Sequence, residues 1–96
     1  MMRYLLDCGF LPEEIKEFEL NTTPVLLNEM IDKKDLVTKN IIYLINLGIS
    51  NYKIVFINYY EFFLLNNEKF ISIFDKYDKN ELIKYIESDF NIVQYL

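Results

Sequence analysis

The chain has 96 residues, of which 52% are apolar and 17% aromatic; that is one domain's length and too hydrophobic for disorder, so it must bury a core. Fifteen acidic against ten basic residues leave a net charge of −5, which argues against nucleic-acid and anionic-membrane partners. The absence of His and Trp and the single Cys exclude disulfide frameworks, Cys/His zinc sites, Ser–His–Asp triads and Cys–His nucleophile pairs. Ala is missing altogether, while Ile, Leu, Asn, Lys, Phe and Tyr dominate. Most of these residues have AT-rich codons, so their abundance says little about function.

In chain order, the start Met1-Met2-Arg3-Tyr4-Leu5-Leu6-Asp7 has no apolar h-region, because Asp7 interrupts it, and no signal peptide is expected. Leu11-Pro12-Glu13-Glu14 puts Pro at a first helical position with acids in the first turn. The resulting helix, Pro12 to Leu20, turns Ile15 and Phe18 inward and Glu13 and Glu17 outward. A helix over about Lys34 to Leu47 places Val37, Ile41, Leu44 and Ile45 on one side. Gly9 and Gly48 each stand where a preceding helix ends in a left-handed residue. Ser50 is a candidate cap for a helix beginning at Asn51. Asn40 to Tyr52 is the longest uncharged run, and it is too short to span a bilayer.

Lys53-Ile54-Val55-Phe56-Ile57 alone reads as a buried strand. Its correspondence to Glu14-Ile15-Lys16-Glu17-Phe18 assigns it to a helix instead, and its apolar character all round predicts a central, enclosed one. Phe70, Ile73, Phe74 and Tyr77 follow helical spacing, and Leu82, Ile86, Phe90 and Val93 continue it. Asp78-Lys79-Asn80-Glu81 is a capping-box variant that starts a helix at Lys79. The apolar tail, Phe90 to Leu96, either packs back on the core or contributes to a homo-oligomer contact. The fold expected is all-α, one domain over residues 1–96, with Ile15, Phe18, Ile41, Leu44, Ile54, Phe70, Ile73 and Phe74 buried.

The chain also repeats itself. Tyr4-Leu5-Leu6-Asp7-Cys8-Gly9-Phe10-Leu11 is echoed by Tyr43-Leu44-Ile45-Asn46-Leu47-Gly48-Ile49-Ser50, and each Gly is followed six residues later by an Ile. A degenerate third copy begins at Ile73, giving a short array of about two and a half helical units. Leu5, Gly9, Phe10, Ile15 and Pro24-Val25-Leu26-Leu27, with Leu44, Gly48, Ile49, Ile54 and Phe62-Phe63-Leu64-Leu65, resemble the repeat of the mitochondrial transcription termination factor family. That resemblance implies stacked three-helix units and a nucleic-acid-binding path. The chain departs from the family in its acidity and in its small number of repeats.

Among the candidate sites, Glu13, Glu14, Glu17 and Glu19 crowd one short helix and offer an acidic surface for a basic protein partner. Asp75 to Glu81 glances at a calcium loop, but the ligand spacing fails and no Gly makes the sharp turn, so capping explains these acids better. Cys8 corresponds to Leu47 in the second copy, which marks it as a buried, inert thiol. Tyr52, Tyr59, Tyr60, Phe62 and Phe63 lack the interleaved bases that single-stranded nucleic acid needs, so they read as packing or interface residues. No residue pattern points to a cofactor, a metal or a catalytic group. The expected function is a non-enzymatic, cytoplasmic protein-interaction module. An inhibitor or immunity-type protein that binds a basic enzyme or toxin is the narrower form. The alternative is a nucleic-acid-binding helical array.

Overall fold

The computed structural model describes residues 2–96. Among them the regular structure is entirely helical: α1 (Pro12–Leu20), α2 (Pro24–Asp32), α3 (Lys34–Leu47), α4 (Tyr52–Tyr59), α5 (Asn67–Asp75) and α6 (Lys79–Ser88). Three 3₁₀-helices, Arg3–Cys8, Tyr60–Leu64 and Phe90–Tyr95, fill the start, the centre and the tail. The fold is therefore all-α, and the Lys53–Ile57 segment is helical. The radius of gyration is 12.9 Å, close to the roughly 12.5 Å expected of a compact chain this long. The helices close around one core instead of stacking into an open array.

Local chemistry accounts for most of the boundaries. Pro12 and Pro24 occupy the first turns of α1 and α2, where a missing N–H costs nothing. Glu14 accepts the Leu11 amide at 2.7 Å and so satisfies one unpaired donor at the start of α1. Asp78 caps α6 by accepting the Glu81 amide at 3.1 Å, and Asn66 caps α5 through the Lys69 amide. Ser50 does not cap α4; it donates to Glu87 across the molecule, and Asn51 stands at the cap position. Gly9 (φ 89°) and Gly48 (φ 101°) adopt the left-handed conformation expected of them. Gly9 is needed twice over, because a Cβ there would come within 2.6 Å of the Tyr52 hydroxyl oxygen.

α3 is the hub of the core and packs against the first two 3₁₀-helices, α2, α4 and α5. Its buried face is Val37, Asn40, Ile41 and Leu44, an i, i+3, i+4, i+7 stripe. Ile45, expected inside, is 39% exposed, and fully buried Asn40 takes its place. Asn40 Nδ2 donates to the Phe63 and Leu65 carbonyls, and its Oδ1 accepts from Asn67. One amide thus pins the central 3₁₀-helix and the start of α5 to α3.

The α4 register also differs from expectation. Tyr52, Val55, Phe56 and Tyr59 turn inward, while Ile54 is 45% exposed and Ile57 38%. At about 100° per residue, Ile54 lies roughly 150° from the centre of the inward face. α4 is apolar all round, as expected, but it lies at the periphery with one apolar side exposed and is not enclosed. The repeat alignment fails here, since the residue six past Gly is buried at Ile15 and exposed at Ile54. Elsewhere Ile15, Phe18, Ile41, Leu44, Phe70 and Phe74 are buried as expected, and Ile73 is half-buried. α5 stops at Asp75, so Tyr77 leaves the helical stripe and donates to the Leu96 carbonyl. The tail packs back through Val93.

Candidate functional site

An unbroken chain of aromatic contacts sets the relation of α1 to α4. Phe10 meets Tyr52 and Phe56 edge-on, and Phe18 packs on Phe56 and, edge-on, on Tyr60. Phe56 continues through Phe63, Phe70 and Phe74 into the centre. Aromatic edges and faces attract beyond their buried area, so this line holds α1 rigidly beside α4. Tyr52 adds a hydrogen bond of 2.7 Å to the Cys8 carbonyl.

The four glutamates divide into two kinds. Glu14 is committed inward: besides the Leu11 amide it holds Lys53 Nζ at 3.2 Å. The Leu11 amide bond is the main cause that holds its carboxyl below the usual carboxylate range; burial opposes it, and Lys53 lowers it further. Glu19 accepts the Met2 amide at 2.7 Å. Glu13 and Glu17 are exposed. The ion pairs among the described residues join Lys53 to Glu14 and Lys33 to Glu29, so neither Glu13 nor Glu17 has a cationic partner there. Helical spacing puts these two on one face.

Between α1 and α4 lies a cleft of about 260 Å³, lined by Glu14, Glu17, Phe18, Asn21, Ile57 and Tyr60, with Thr22 at its base. Thr22 is bonded to the Phe18 carbonyl and Asn21 to that of Glu17, which seals the end of α1. Of the other hollows, one is lined by Asn58, Tyr59, Phe62 and a single acid, Glu61, and two carry bases as well as acids. The one on the far side of α1 is flanked by Arg3, Lys16 and Glu19, and the one at the start of α3 by Asp35 and Lys39. The α1–α4 cleft is lined by acids and by no base.

The structure thus brings two of the sequence-selected acids, Glu14 and Glu17, to one cleft, leaves Glu13 on the adjoining face and diverts Glu19 to the chain start. Ile57, Tyr60 and Asn21 were not singled out as parts of this site. The Tyr52, Val55, Phe56, Tyr59 stripe was the signal for the first two, because it turns Ile57 out toward α1. Cys8 is buried, and burial, then Asp7, push its thiol up despite the opposing Thr38 hydrogen bond. No group of three or more metal-ligating side chains exists among the described residues, and none of their helices is long and apolar enough to cross a membrane.

No protein-family model, no curated protein and no solved structure matches this chain.

Proposed function

We propose that the protein is a non-enzymatic interaction module that binds the basic surface of a protein partner through α1 and the adjoining side of α4. The observation that carries this reading is the division among the glutamates. Glu13 and Glu17 keep their charge free on one face beside an acidic cleft, whose lining includes the exposed Ile57. Apolar area supplies affinity, and unpaired charge supplies steering and selectivity. The negative balance of residues 1–32, seven acids against two bases, extends the same field. An inhibitor of a basic enzyme or toxin is the narrower form of this proposal. Phosphate binding needs several cations in register, and Lys33, which belongs to the densest basic cluster, pairs with Glu29.

Photo-crosslinking tests the reading in native extracts. A photoreactive residue at position 13 should capture a basic protein in a salt-sensitive way, whereas one at position 42, on the exposed side of α3, should not. Equal capture at both positions would contradict the proposal. So would micromolar binding to mixed-sequence DNA or RNA at about 150 mM salt.

A further inference from the structure

The α1–α4 cleft has a narrower chemistry than an acidic face alone requires. Its walls combine a free carboxylate, Glu17, an exposed amide, Asn21, the half-buried ring of Tyr60 backed by the buried Phe18, and the half-exposed aliphatic Ile57. Glu14, on the same wall, is already neutralised by Lys53, so Glu17 alone carries uncompensated charge into the cleft. The chain itself shows what such a set holds. Lys53 Nζ sits 3.2 Å from Glu14 Oε1 and 5.8 Å from the centroid of the Phe10 ring. That is a cation between a carboxylate and an aromatic face. Nearby, Glu17 with the Tyr60 ring offers the same ingredients without a cation.

We infer that this cleft receives an arginine side chain from the protein partner. The inference rests on the interaction reading above and names the group recognised. A guanidinium is planar and weakly hydrated, so it can lie flat on a ring while its N–H fork meets a carboxylate through two bonds; an ammonium such as that of Lys53 makes both contacts only as a point charge. The aliphatic stem covers Ile57, as long cationic side chains do on apolar surfaces. The amide oxygen of Asn21 is free for a remaining donor, because Asn21 uses its Nδ2 on the Glu17 carbonyl.

The test is an NMR titration of the full chain with three short capped peptides that differ at one central position, Arg, Lys or Gly. The Arg peptide should shift the Ile57 methyl and the Glu17 and Asn21 amides along saturable curves, with the Lys peptide weaker and the Gly peptide silent. Glu17→Gln, at an exposed position that should leave the fold intact, should weaken the Arg peptide roughly tenfold, the loss of one charge-assisted bond. Tyr60→Leu keeps the apolar wall and should erase the preference for Arg over Lys. Saturable shifts confined to Glu13, or equal response to Arg and Lys unaffected by Glu17→Gln, would overturn the cleft assignment while leaving the acidic face standing. No response to either basic peptide, together with failed crosslinking at position 13, would overturn both.

Discussion

The surroundings of Asn40 and those of Glu17 use polar side chains in opposite ways. Around Asn40, three elements converge and every polar atom of the buried amide is bonded within the chain. Around Glu17, carboxylate and aromatic groups sit at the surface with bonding capacity left over. A buried amide of this kind adds stability only because it is fully satisfied. An exposed, unpaired carboxylate adds almost none. The difference separates what the fold needs from what is free to meet a partner.

The largest test breaks both regions at once. Phe56 is fully buried and touches Phe10, Phe18 and Phe63, so Phe56→Ala should cost about 3–5 kcal/mol in urea unfolding. For a domain this small that removes much of the stability. A loss below about 1 kcal/mol would mean the aromatic line does not hold α1 to α4.

Asn40→Ala comes next. It strands two carbonyls and the Asn67 amide, and each buried group left unpaired costs about 1–3 kcal/mol. A near-silent substitution would show that water replaces the amide and that the clamp is not structural. Gly9→Ala should cost about 1–2 kcal/mol from the left-handed backbone alone, plus the clash with Tyr52. Tyr52→Phe removes the clash together with the hydrogen bond to the Cys8 carbonyl, so Gly9→Ala made in the Tyr52→Phe chain should still cost the backbone term; no cost there would show that backbone strain was not the cause.

A smaller effect follows from Glu14. Its pKa is lowered in the folded chain, so its contribution to stability is present above the ordinary carboxylate value of about 4.3. It is lost as pH falls through the lower folded value. Glu14→Gln should therefore flatten the acid limb of a stability curve by lowering stability slightly at neutral pH while leaving the low-pH end nearly unchanged. An unaltered acid limb would remove Glu14 from the link between α1 and α4.

How far these regions could be read from sequence follows from the same physics. Helix starts at Pro12 and Lys79 and both glycine caps were legible, because each is decided within a few residues. The outward pair Glu13 and Glu17 was legible from spacing alone. Ile54 was misplaced because the match to Ile15 outweighed the stripe that α4 carries itself. Asn40 stayed hidden because its partners lie in Phe63, Leu65 and Asn67, distant in sequence. The cleft stayed hidden for a related reason, since Ile57 and Tyr60 meet Glu17 only after Phe18 docks on Phe56.

The central claim is that Glu13 and Glu17 serve association and not folding. With the crosslinked partner in hand, it is tested by the association rate of the Glu13→Lys, Glu17→Lys double variant measured across salt concentrations. Steering by charge predicts a fall of roughly tenfold or more at low salt that narrows as salt rises, with stability lowered by no more than the roughly 1 kcal/mol that a first-turn acid such as Glu13 contributes at a helix start. Equal association rates at every salt concentration would contradict it and reduce α1 to a solvated face.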